Sequence, residues 1–244
     1  MKKEICIAVM VVLTAVFAVS TYFIVSHHIQ GKAQAELYDS LAEQVEATVL
    51  ESASATEPEA TEPTMLPELA DLYEQNKDLV GWISIEDTNI NYPVVQSVDR
   101  QDFYLKHAFD GSYSDYGCPY VQEDCDIYYS DNLVIYGHHM GNGSMFNNLE
   151  KFKSKDFWQE HKTVSFNTLM EKADYEIVAV FKTVAYTDSP DAFKYYRFVN
   201  AENADDFNTY IDRCKELSMY DTGVSAEYGD KLITLSTCEY SRNN

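Results

Sequence analysis

The sequence predicts a mainly β fold with added helices. Three observations carry that reading. Short apolar runs of strand length recur at 82–85, 90–95, 120–122 and 133–136. Two alternating segments, 163–167 and 175–183, flank a turn at 170–174 and read as a hairpin. Finally, 201–217 sets Phe207, Tyr210, Ile211, Cys214 and Leu217 on one helical stripe just before a last alternating strand at 231–238. At 244 residues and 27.9 kDa the chain suffices for one domain with its own core plus extensions.

Taken in order, the chain begins with Ile5 to Val25, 21 positions without a charge, which matches the roughly 20 residues a helix needs to cross a bilayer. A cleaved signal peptide is the alternative, with Ala18-Val19-Ser20 as its small-residue site, but its apolar region usually runs only about 7–15 residues, so an anchor is expected. Lys2 and Lys3 precede the span and Lys32 follows it, a bias that keeps the N-terminus cytoplasmic although Glu4 dilutes it. Residues 1–30 are therefore read as a cytoplasmic tip and anchor, 31–65 as a linker and 66–244 as the globular domain. Within the linker, Leu37, Leu41, Val45 and Val49 at four-residue spacing predict a helix continuous with the span. The stretch Thr56 to Pro63 is rich in Pro, Glu and Thr, cannot bury enough surface to fold, and predicts an extended spacer.

The globular part opens with Leu69, Leu72, Tyr73 and Val80 at helical spacing, with Pro67 in the first turn, where its missing N–H costs nothing. Ser144 reads as the N-cap of a helix over Met145 to Phe152, and 157–161 adds another helical turn. Formal net charge is −22, from 40 acidic and 18 basic side chains. Such a surface repels nucleic acid and anionic lipid and serves mainly solubility. Of five cysteines, Cys6 lies in the span and Cys214 on the core face of a helix. Cys118 and Cys125 flank a possible hairpin and could pair in an oxidising compartment, with free thiols the expected state.

The chemistry is concentrated at two strand ends. In Lys231 to Cys238, Ile233 and Leu235 share one face while Thr234, Ser236 and Cys238 share the other, so Cys238 keeps company with hydroxyls and not with the apolar set. The run Asn132 to Tyr136 is halted by Gly137, and His138 emerges at its end. Each residue alone reads more simply as structural, an inert buried thiol or a core histidine; together they point to a thiol nucleophile and its base.

The segments that carry these residues resemble a known family. Thr234-Leu235-Ser236-Thr237-Cys238 is similar to the cysteine signature of sortases, the cysteine transpeptidases of Gram-positive surfaces, and Tyr136-Gly137-His138-His139-Met140 to their histidine motif. Further matches in order and spacing are Val80-Gly81-Trp82-Ile83, Asn91-Tyr92-Pro93-Val94-Val95-Gln96, Phe109-Asp110-Gly111-Ser112-Tyr113, Gly143-Ser144-Met145-Phe146 and Leu217-Ser218-Met219-Tyr220-Asp221-Thr222-Gly223. The combination resembles class B sortases from about Leu66 onward. It implies a closed β-barrel with an N-terminal helix and a long helix before the cysteine strand.

The same resemblance implies cleavage of an Asn-Pro-x-Thr-type sorting signal on secreted proteins after its threonine, with transfer to a peptidoglycan precursor or cross-bridge amine. Cys238 would be the nucleophile and His138 the acid and base, with no metal and no cofactor. Ser236, Thr237, Glu239 and the segment 186–196, with Tyr186 and Tyr196 at its ends as a wall of the substrate groove, are candidates for touching substrate, against exposed-surface or core roles; Glu239 would do so directly or through its backbone N–H at the oxyanion. His138 and His139 alone are too local for a metal site. Family members carry an arginine on the strand after the cysteine; Arg242 falls where the turn is expected, so the role is not carried over and the last strand is expected to be missing from these 244 residues. The chain is read as a fragment of a longer product, the alternative being a natural truncation left inactive. Two other functions stay open: a cysteine protease that hydrolyses the thioacyl intermediate, and a noncatalytic binding module.

Overall fold

In the computed structural model, the described residues are 2–54, 64–184 and 192–238. By its contacts the chain divides into two units, residues 1–40 and 41–244. A single helix, α1 (Lys2–Ser54), begins in the first and ends in the second. Between Ile5 and Val25 its large side chains are exposed, Phe17 by 73% and Ile24 by 70%. Its most apolar 18-residue window has a mean hydropathy of 2.4, and by length and composition it could cross a membrane.

The second unit is an α+β fold built on one seven-stranded sheet. Its elements are α2 (Pro67–Gln75), β1 (Leu79–Ser84), β2 (Asn91–Val95), β3 (Tyr120–Val121), β4 (Asn132–Tyr136), α3 (Lys155–Glu160), β5 (Thr163–Thr168), β6 (Asp174–Glu176), α4 (Ala204–Leu217) and β7 (Leu232–Ser236). The spatial order is β6-β5-β1-β2-β3-β4-β7. Pairing is antiparallel except for β2 with β3 and β4 with β7. The sheet curls until its two ends, β6 and β7, face each other across a cavity of about 960 Å³, so the barrel is nearly closed.

Packing follows the sequence pattern. Ile83, Ile90, Val94, Phe146 and Phe166 are fully buried, and their apolar area is the main source of stability. Helix α4 forms because Asn203 caps it, accepting the backbone N–H groups of Asp205 and Asp206, and because its stripe of Phe207, Tyr210, Ile211 and Cys214 is buried. That stripe packs against Val178, Phe181, Phe193 and Leu232.

Some elements differ from the sequence reading. Ser144 is not a helix cap: its hydroxyl donates to Asn142 Oδ1 at 2.7 Å, and a 3-10 helix starts at Phe146 after Met145, whose φ is +57°. Val80 lies on β1 and not on the preceding helix. The predicted strand 175–183 is laddered only through Glu176. Ile177 N–H still reaches Lys162 O at 3.0 Å, and past it the chain bonds across to the segment after α4: Met219 N–H donates to Val180 O at 2.8 Å, and Thr222 Oγ1 to Val178 O at 2.7 Å. Cys118 and Cys125 are buried, their sulfurs 3.6 Å from Pro93 O and Asn132 O respectively.

Candidate active site

The site is assembled by two parallel neighbours, β4 and β7. Their register runs Asn132 with Leu232, Leu133 with Ile233, Val134 with Thr234, Ile135 with Leu235 and Tyr136 with Ser236. The backbones stay together past the ladder: Gly137 N–H donates to Ser236 O at 3.0 Å, and Thr237 Oγ1 donates to Gly137 O at 2.8 Å. The last ladder pair is Tyr136 with Ser236, and His138 and Cys238 each follow two residues later on their own chain segments. Both strands run the same way, so nucleophile and base candidates leave the barrel at the same end, with Cys238 exposed.

His138 is held on two sides. Its ring Nε2 lies 2.7 Å from the carbonyl oxygen of Leu105, on the 3-10 turn Phe103–Leu105. Its own carbonyl accepts the backbone N–H of the buried Phe146 at 2.8 Å. Gly137 makes the second contact possible: a Cβ there would lie 2.6 Å from two ring carbons of Phe146. The glycine that ends the apolar run is therefore required by close packing.

The hydroxyls around Cys238 bind the protein itself. Ser236 is buried and shares a hydrogen bond of 2.6 Å with the Tyr195 phenol. Thr234 donates to Asn132 Oδ1 at 2.8 Å and lies 3.2 Å from the Tyr210 hydroxyl. Asn132, fully buried at the start of β4, also donates through Nδ2 to Phe198 O at 2.7 Å, tying β4, β7 and the 195–199 segment together. Tyr196 is half-buried with its ring centroid 5.6 Å from that of Tyr195. Tyr186, Glu239 and Arg242 fall outside the described residues.

His139 is turned to other work. Its Nε2 lies 3.1 Å from Asn147 Nδ2 and 3.6 Å from Glu150 Oε1. Glu150 also pairs with Lys153 at 2.9 Å, and that hydrogen bond holds its carboxyl below the ordinary range. Among the described residues, no group of three or more His, Cys, Asp or Glu side chains could hold a metal ion. Sequence reasoning missed the contacts of Leu105, Tyr195 and Asn132, although Tyr195 lies in the 186–196 segment it read as a groove wall. Of these contacts only that of Asn132 left a trace, as a polar residue opening an apolar run; the other two act through a backbone oxygen and a phenol remote in sequence.

Such an arrangement is suited to acyl transfer through a thiol, with an imidazole alongside to move protons. The comparisons with known proteins agree. The family model described as the sortase domain matches residues 83–244. Sortase B of Listeria monocytogenes is 35% identical over 214 residues, covering 85% of this chain and 82% of that protein. Sortase B of Staphylococcus aureus is 27% identical over 238 residues, covering 97% and 91%. A solved structure described as the Staphylococcus aureus sortase B-substrate complex superposes with a TM-score of 0.75 at 25% identity, covering 87% of this chain and 91% of that one. The chain belongs to the sortase family, a family of transpeptidases that act on sorting signals and amine nucleophiles. Within that family its relatives and its fold are those of class B.

Proposed function

We propose that this chain is a membrane-anchored sortase of class B that cleaves an Asn-Pro-x-Thr-type signal on secreted proteins and transfers the threonine acyl group to a cell-wall amine. The observation that carries the reading is the β4/β7 register, which brings His138 and the exposed Cys238 to one end of the barrel. Cys238, as thiolate, attacks the threonine carbonyl; the C–N bond breaks as His138 protonates the departing amine, leaving a thioacyl enzyme. An incoming amine then attacks the thioester and gives its proton to His138, and the thiolate leaves. The apolar first part of α1 is the anchor, with the domain from about residue 66 on the outer face. Ser236, Thr237 and Tyr196 act from the wall behind the nucleophile, which Tyr195 and Gly137 brace through the hydrogen bonds given above.

The test is intact mass spectrometry of the natural gene product in detergent, incubated with an Asn-Pro-x-Thr peptide library. The expected result is a thioacyl adduct on Cys238 that disappears when an amine acceptor is added and never forms on Cys238→Ala. An adduct lost equally fast to water with and without amine would assign a hydrolase. No adduct, with peptide binding unaffected by Cys238→Ala, would assign a noncatalytic binding module.

A further inference from the structure

The contact between His138 and Leu105 decides which ring nitrogen carries the reactive proton. A peptide carbonyl can only accept, so the nitrogen 2.7 Å from Leu105 O must be protonated in both charge states of the ring. Nδ1 makes no hydrogen bond among the described residues. We propose that the 3-10 turn Phe103–Leu105 is the positioning element of the histidine: it locks the Nε2–H tautomer through Leu105 O, leaving Nδ1 as the sole atom of His138 that gives and takes the proton, and Tyr104 is the positioning residue that holds the turn. The inference rests on the assignment of His138 as acid and base. In the first half-reaction the Nδ1 proton passes to the departing amine as the C–N bond breaks; in the second, Nδ1 receives the proton of the attacking amine as the C–S bond breaks.

The turn is anchored to the barrel at several points. The Tyr104 side chain is buried; its hydroxyl donates to Asp78 Oδ2 at 2.8 Å, beside the start of β1, and accepts from Asn76 Nδ2 at 3.0 Å. Burial, the largest cause, pushes that phenol far above its ordinary range, so it remains a donor. Arg100 Nη2 donates to the same Asp78 oxygen at 2.9 Å. The Tyr104 carbonyl accepts from Cys118 N–H at 3.0 Å, and Asp102, which opens the turn at φ +53°, accepts from the Tyr120 hydroxyl at 2.8 Å. Gly117, at φ +62°, completes the fit: a Cβ there would lie 2.5 Å from Tyr104 O and 3.0 Å from Leu105 O, the oxygen that His138 uses. These contacts leave Leu105 O little freedom to move, which is what a tautomer lock requires.

The experiment is nitrogen-detected NMR of the full chain labelled with [15N]histidine, with His138 assigned by its loss in His138→Ala. It is read beside the steady-state rate on the Asn-Pro-x-Thr library. Wild type should show Nε2–H at His138. Tyr104→Phe should move part of the population to Nδ1–H and lower kcat about 10- to 100-fold, with KM within about twofold. As a control, Tyr220→Phe removes a half-buried phenol bonded to Phe152 O at 2.6 Å and should leave both tautomer and kcat unchanged. An Nδ1–H tautomer in wild type overturns the inference without any variant having to fold. An Nε2–H tautomer with unaltered kcat in Tyr104→Phe overturns the role of Tyr104, while a Cys238 adduct would show that the transpeptidase assignment stands. If His138→Ala keeps full activity, the assignment of His138 fails instead, whatever its tautomer.

Discussion

Gly137→Ala tests whether the histidine is placed by packing from behind. The added Cβ would sit 2.6 Å from Cδ2 and Cγ of Phe146 and 2.9 Å from Cδ1, against the roughly 3.5–4.0 Å that carbon atoms prefer, an overlap of about 1 Å with one face of the ring. Phe146 is fully buried, and its own N–H is bonded to His138 O, so the ring cannot retreat without dragging the residue that follows Gly137. Overpacking of this kind costs about 1–3 kcal/mol, while alanine recovers about 0.4–1 kcal/mol by restricting the unfolded chain, leaving a net loss of about 1–2 kcal/mol. The assay is urea unfolding in detergent followed by fluorescence of Trp82 and Trp158, which both report on the barrel unit. The cycle with Phe146→Leu should show the two changes to be less than additive by about 1 kcal/mol, because the smaller side chain makes room. Activity should fall further than stability, since the residue pushed is next to His138. A Gly137→Ala protein as stable as wild type, or a strictly additive cycle, would refute the packing argument.

Two further outcomes follow from the buried thiols. Burial pushes the Cys214 thiol from an ordinary value near 9 up to about 11, against the opposing effect of the Tyr210 hydrogen bond. Its neutral form therefore stabilises the fold fully below pH 9, and that contribution is lost as pH rises toward 11; at pH 10.5 wild type should lose about 2 kcal/mol relative to pH 8, and Cys214→Ala should lack that part of the slope in urea unfolding. Identical slopes would refute it. Iodoacetamide on the native chain should modify the exposed Cys238 at least tenfold faster than the buried Cys118, Cys125 or Cys214, as read by peptide mapping; comparable rates at all four would contradict the placement of β7.

Much of the barrel was legible because the relevant signal is local. Short apolar runs located β1 to β4, and alternation β5 and β7, within about two residues except at the start of β1, which begins at Leu79 and not at 82; the stripe of α4 left a period of 3.6. What failed depended on partners. The segment after Ile177 alternates like a strand, yet its bonds run to Ser218 and its neighbours, and alternation says which face is apolar without saying whether a ladder exists. Ser144 suits a cap by residue type, but Asn142 Oδ1 takes its hydroxyl. At the site, Cys238 and His138 stand out as candidates from strand ends and motif. The phenol of Tyr195 on Ser236 and the carbonyl of Leu105 on His138 could not, because contacts across 41 and 33 residues carry no sequence period.

The same reasoning explains why the site tolerates so much intervening structure. β4 and β7 are parallel and adjacent, so the chain must make a crossover between them, and here that crossover contains α3, β5, β6 and α4. None of those elements sets the height of Cys238 relative to His138. Five ladder pairs and the two bonds at Gly137 do that, and a slip of one residue would turn Cys238 to the opposite face. Side chains placed between the strands resist the slip: Asn132 accepts from Thr234 across the register, and Thr237 donates back to Gly137. Because these contacts join residues about a hundred positions apart, they form only once β7 has docked, and long-range pairing is the slow part of folding. Under the proposed mechanism the thiol therefore meets its base only in the assembled barrel, and the hydrogen bonds at Asn132 and Thr237 add polar constraints to the register that the buried faces already favour.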